Sequence, residues 1–157
     1  MPSAATSHRA RLAAPFAVTG ALAVVAGGMV AAVTAPAPTE HSSWTAGYLV
    51  LVAGVAQIVL GGGLALVPRD VPPVRWLHAQ LLLWNIGNAA VVVGTLCGWL
   101  PLTDVGGLML VATLLAAGWV TRRPRIRRWQ WVCLRVALLL LLVSVPVGLV
   151  LARTSPT

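Results

Sequence analysis

"WLHAQLLLWNIGNAAVVVGTL", residues 76–96, is apolar enough and long enough to cross a membrane, yet it carries His78, Gln80, Asn85 and Asn88. A helix needs about 20 apolar residues to span the hydrocarbon core. At about 100° per residue, His78, Asn85 and Asn88 fall in one sector roughly 80° wide. Gly87, Gly94 and Gly98 fall on the opposite side, together with Gln80. A helix bathed in lipid has no use for a polar seam on one side and a glycine seam on the other. The stretch therefore predicts a membrane helix packed on two faces.

The rest of the chain agrees with that setting. Of 157 residues, 59% are apolar and 9% charged, and the mean hydropathy is +0.90. Soluble domains carry about 25% charged residues, because their surface must be solvated. The composition predicts an all-α integral membrane protein. Apolar stretches at 13–34, 44–67, 76–97, 102–121 and 132–152 give five transmembrane spans in a single compact bundle over 1–157. The breaks "APAPTEHSS", "PRDVPP", "CGWLP" and "TRRPRIRR" each hold proline, which removes a donor and disfavours helix in the residue before it. Loops this short make neighbouring spans antiparallel.

The net charge of +8 comes from arginine alone. Arg9 and Arg11 precede the first span, Arg69 and Arg75 follow the second, and Arg122, Arg123, Arg125, Arg127 and Arg128 follow the fourth. The opposite loops carry Glu40 and Asp104 and no arginine, and only Arg153 stands on their side. The positive-inside rule then predicts a cytoplasmic N-terminus and an external C-terminus. Trp44 and Trp99 at one set of ends, and Trp76, Trp119, Trp129 and Trp131 at the other, read as an aromatic belt; Trp84 in mid-span is the exception. The first apolar run is longer than the 7–15 residues of a signal-peptide core, and its small-residue sites precede proline, so it reads as an uncleaved anchor. Arginine as the only basic side chain, in a chain rich in Ala, Val, Gly and Leu, suits a bacterial inner membrane.

Two sets of residues are candidates for function. Gln57, Asn85 and Asn88 lie near the middle of their spans, and Gly47, Gly54 and Gly61 recur every seven residues beside Gln57. Small residues let helix backbones approach closely and admit interhelical hydrogen bonds. The three amides are expected either to clamp neighbouring spans or to line a small polar pocket at the midplane. His78, about 12 Å towards the cytoplasmic surface, is a candidate polar site there. The second set is the loop Arg122, Arg123, Arg125, Arg127 and Arg128, which can attract anionic lipid headgroups or an acidic partner. It reads as a topology element and not as a nucleic-acid surface, since it lies between apolar spans.

Several chemistries find no support in the spacing. No Asp, Glu or Lys lies in mid-span, as a proton-driven carrier would need. His41 and His78 sit at opposite ends of their spans, too far apart for a shared haem. Cys97 and Cys133 are separated in the same way, beyond disulfide reach. No ligand spacing suggests zinc, and Glu40–His41 is a poor metal site. Ser144 and His78 lie at different depths, which excludes a nucleophile–base pair; Ser144 reads as a partner for carbonyls freed by Pro146, which should kink the last span. Residues 67–76 and 120–129 align at an offset of 53, hinting that spans two and three recur as four and five. The expected role is a non-enzymatic accessory or scaffold subunit without a cofactor, whose partners are the bilayer, other membrane subunits or copies of itself. The alternatives are a carrier or binding protein for an uncharged or amphipathic molecule, and a cofactor-bearing or enzymatic subunit completed by another chain.

Overall fold

Each break between apolar runs has a local cause that ends one helix or starts the next. The structure, a computed structural model, describes residues 4–154 except 71, 123, 125 and 126, with side chains described within 7–144. The helices are α1 (Ala4–Thr34), α2 (Glu40–Leu66), α3 (Val74–Leu96), α4 (Leu100–Val120) and α5 (Arg128–Thr154). Thr39 caps α2: its hydroxyl accepts from the Ser42 N–H at 3.1 Å, and the Ser42 hydroxyl accepts from the Thr39 N–H at 2.9 Å. That reciprocal box satisfies two donors that the helix itself leaves without partners. Pro73, in extended conformation at ψ 144°, opens α3. Pro101 lies in the first turn of α4, where its missing N–H costs nothing.

Gly98 stops α3. It adopts φ +66°, its N–H donates to the Thr95 carbonyl at 3.3 Å, and the Trp99 N–H donates to the Gly94 carbonyl at 2.8 Å. These two bonds make a Schellman ending, which favours glycine because a Cβ is strained at positive φ. Gly98 is thus a helix stop, and the glycine seam of α3 ends at Gly94.

Four helical stretches among the described residues are long and apolar enough to cross a membrane: Ser7–Thr34, Glu40–Leu66, Val74–Leu96 and Leu100–Val120. They point to a multi-pass membrane protein. Their side chains are distributed the wrong way round for water. Val18, Leu22, Val25, Met29 and Val33 form an exposed stripe on α1, and Leu82, Ile86 and Val93 one on α3. Gln57 and Thr113 are completely buried, and Gln80, Asn88 and Thr103 nearly so. Ser144 is exposed on α5; Pro146, expected to kink that helix, and Arg153 lie outside the residues whose side chains are described.

The chain divides into two compact units, Met1–Leu66 and Val67–Thr157. In the first, α1 lies along α2 with glycines on both sides of the contact. A Cβ on Gly61 would stand 2.2 Å from Phe16 Cβ, and one on Gly54 would stand 2.5 Å from Val24 Cγ2 and 3.0 Å from the Gly20 carbonyl oxygen. From the α1 side, a Cβ on Gly20 would come within 2.8 Å of the Gly54 carbonyl oxygen, and one on Gly27 within 2.8 Å of that of Ala46. Gly47, expected in the same seam, is exposed and meets nothing within 4 Å. The reason is a π-helical stretch, Leu49–Ala56, inside α2. Each π turn takes in about one residue more than an α turn, so a seven-residue step across it no longer returns to the same face.

In the second unit the glycine face of α3 meets α4. A Cβ on Gly94 would stand 2.6 Å from the Thr103 backbone nitrogen, and one on Gly106 would stand 2.7 Å from the Gly87 carbonyl oxygen. α5 packs on α4, pinned by the Trp131 Nε1–H donating to the Thr121 carbonyl at 3.0 Å. An isolated antiparallel bridge joins Pro68 to Pro124, so the segment before α3 and the segment before α5 run side by side.

The seams can be tested by adding atoms to them. Gly54→Val and Gly94→Val should each destabilise by about 1–3 kcal/mol through overpacking. Gly47→Ala and Gly62→Ala, which meet open space, should be neutral or stabilising by up to about 1 kcal/mol through helix propensity. Thermal unfolding of the detergent-solubilised protein reads all four. Equal tolerance at Gly54 and Gly47 would refute the seam.

Candidate functional site

The buried polar side chains of the first unit, Thr45 and Gln57, are few among the described residues. Thr19 lies one turn after Pro15 in α1, and its hydroxyl donates to the Pro15 carbonyl at 2.7 Å. The same hydroxyl accepts from Gln57 Nε2 on α2. Gln57 therefore ties its helix to α1, and its Oε1 is buried without a partner. The Tyr48 hydroxyl is also buried and unpartnered, while its ring stacks on Trp44 at 5.0 Å between centroids. These two orphaned oxygens flank the π-helical stretch on either side.

In the second unit the amides of α3 behave differently. Asn85 Nδ2 donates to the Leu81 carbonyl and Asn88 Nδ2 to the Trp84 carbonyl, each at 2.8 Å and each within its own helix. So the amide nitrogens of Gln57, Asn85 and Asn88 all bond to groups outside that trio. Asn88 is buried, Asn85 half-buried. Asn88 Oδ1 and Trp84 Nε1, one turn apart, are an acceptor and a donor left without partners in the interior. Trp84, the tryptophan that did not fit an aromatic belt, is fully buried. Gln80 is the amide that crosses between helices here: its Nε2 donates to the Thr113 carbonyl of α4 at 3.3 Å. Its position on the glycine face is the sequence signal for that role. His78 is exposed near the start of α3.

The buried polar residues among those described are Thr45, Gln57, Gln80, Asn88, Thr103, Thr113 and Thr121, none of which titrates near neutral pH. These seven side chains can donate and accept hydrogen bonds. Among the described residues no three His, Cys, Asp or Glu side chains come together as metal ligands, and Cys97 and Cys133 are free and exposed.

Charge collects where α4 ends and α5 begins. Arg122, Arg127 and Arg128 are exposed, and Arg123 and Arg125 lie outside the described residues. The Arg122 guanidinium lies 3.5 Å above the Trp119 ring, a cation–π contact. Sequence reasoning missed Arg135, two turns into α5. Its Cζ lies 5.2 Å from the Trp131 ring centroid, and a Cβ on Gly118 would stand 3.5 Å from one of its terminal nitrogens. Its Nε is buried with no acceptor. A single arginine inside an otherwise apolar run was the available signal.

No family model, curated protein or solved structure matches the chain. Function must be argued from these groups themselves.

The Gln57–Thr19 bond predicts a coupling. Gln57→Leu and Thr19→Val should each lower stability by about 0.6–2 kcal/mol, the range for interhelical hydrogen bonds in membranes. The double variant should cost less than the sum, because neither change then strands the other's partner. Additive losses in detergent unfolding would show that the two side chains do not depend on each other.

Proposed function

We propose that the chain is a single transmembrane domain of five spans with a cytoplasmic N-terminus and an external C-terminus, working without catalysis as an accessory or scaffold subunit of a bacterial inner-membrane complex. The observation that carries this reading is the apolar surface: many large apolar side chains point outward, Leu22, Met29 and Leu108 among them, while Gln57, Gln80 and Thr113 are enclosed beside the apolar core. Lipid or a partner helix suits such a surface, and water does not.

The orientation draws support from the arginines. Arg9 donates to the Ala65 carbonyl at the end of α2. The Pro68–Pro124 bridge sets the neighbourhood of Arg69 beside that of Arg122. Within each unit, then, arginine-bearing segments lie side by side or against a helix end, which suits the positive-inside rule for cytoplasmic loops. The apolar run 132–152 within α5 supplies the fifth span. Outward helix faces and the arginine loop are then the working surfaces, for membrane subunits, copies of this chain and anionic headgroups.

A second reading, a small binding protein or carrier for an uncharged molecule, is favoured by one feature. Asn88 Oδ1 and Trp84 Nε1 offer an unmatched acceptor and donor within one turn of α3. Buried polar atoms without partners are rare enough to need an occupant or an explanation.

Reporter fusions after Arg128 should read cytoplasmic, and fusions at Thr157 external; a cytoplasmic signal at both would remove the fifth span. Blue-native electrophoresis with crosslinking should place the chain in an assembly larger than itself. A solitary chain that takes up an uncharged solute saturably would overturn the scaffold reading in favour of the second.

A further inference from the structure

From the corner between α4 and α5 we infer a discrete site for one anionic phospholipid headgroup, centred on Arg135. The site lies outside the arginine loop and rests on the membrane reading above. Three observations build it. First, the guanidinium is held in place: it lies across the Trp131 ring and beside Gly118, where an added Cβ would stand 3.5 Å from a terminal nitrogen, in ordinary van der Waals contact. Trp131 is itself fixed by its bond to the Thr121 carbonyl. The floor of the site is therefore an indole that cannot swing away freely. The last turn of α4 also presents the negative end of a helix dipole to the cation.

Second, the buried Nε has no acceptor among the described residues. Arginine cannot be deprotonated in a protein, and its fork offers five N–H donors. Nε, which carries one of them, is cut off from solvent. The chain has three acidic residues, Glu40, Asp70 and Asp104, and none lies on α5. Asp104 sits in the first turn of α4, whereas Arg135 packs against the last. A half-buried cation at an apolar surface is costly without an anion.

Third, the depth suits a phosphate. α4 has 21 residues, a length of about 31 Å that matches the hydrocarbon core. Gly118 is two residues from its end, about 3 Å. Arg135 thus lies at the boundary between acyl chains and headgroups, where lipid phosphates are found. A phosphodiester accepts two parallel N–H bonds from one guanidinium. The exposed Arg122 and Arg127, in the segment between α4 and α5, favour a headgroup with net negative charge over a zwitterionic one.

The test is native mass spectrometry of the full chain in nonionic detergent, titrated with phosphatidylglycerol, phosphatidylcholine or inorganic phosphate. One phosphatidylglycerol should bind ahead of the rest, and phosphatidylcholine should bind at least about fivefold more weakly. R135Q should weaken that first event by about fivefold or more, and R128Q, which changes an exposed arginine, by less than about twofold. R135K keeps the charge and the aliphatic stem, so it guards against a simple loss of folding, and it should still lose several-fold because an ammonium cannot form the fork. Equal losses for R135Q and R128Q would replace the site with diffuse attraction. Wild-type binding by R135K would remove the fork, and equal binding of phosphatidylcholine would remove the charge selectivity. Inorganic phosphate as effective as the lipid would make this a soluble-anion site. The titration is done in detergent, so it fails or succeeds separately from the reporter fusions that test the spans.

Discussion

Backbone meeting backbone is the contact on which the rest of this molecule depends. In a bilayer the hydrophobic effect does not drive helices together, since lipid tails are as apolar as leucine. Dispersion and polar contacts must do it, and dispersion falls steeply with distance. Gly20 with Gly54, and Gly87 with Gly106, bring carbonyl oxygens to a distance that no Cβ would allow. Once the axes are that close, glycines line the contact itself, Phe16, Leu64, Trp84 and Leu110 fill the interior beside it, and many other large apolar side chains face outward. The enclosed Gln57, Gln80 and Thr113 and the exposed Leu108 and Leu139 are two results of one packing choice.

Short-range polar bonding completes that interior. Thr19 and Thr113 return their hydroxyl protons to carbonyls one turn back, and Asn85 and Asn88 do the same with their amides. The amide donors of Asn85 and Asn88 are used on their own helix and so do not bond across the interface, whereas the Thr19 hydroxyl still accepts from Gln57. Gln57 and Gln80 are long enough to reach the neighbouring helix, and both do. One methylene of extra length separates a local bond from a link between helices.

Helix limits were the most legible part of the fold. Proline in the breaks and the length of the apolar runs put the expected spans within four residues of α2, α3 and α4 at both ends and at the end of α1, because both are local properties; α1 itself begins nine residues before its expected span, at Ala4. Partners across an interface were harder to read. Gln57 was recognisable as a buried amide, but its acceptor is Thr19, one unremarked hydroxyl in a run of Ala and Val. Gly20 and Gly27 escaped notice for a similar reason: a seam needs two sides, and the search for a seven-residue repeat stopped at α2. The Arg135 charge was hidden by the leucines that follow it, which dominate any average over the span. Gly98 shows the reverse case, a residue whose place in a periodic series concealed its work as a helix stop.

The π-helical stretch of α2 has a consequence for phase. A helix drawn through Glu40–Leu66 with uniform pitch has one face towards α1 from end to end. The real α2 carries two registers joined at Leu49–Ala56. Ala46 serves Gly27 before the change, with Leu49 and Val50 at its start, and Gly61 serves Phe16 after it. The extra residue acts as a slip joint, letting each half choose its own contacts along α1. Gaining or losing a residue within those eight positions alters the phase between the halves, and it leaves the pairing inside each half intact.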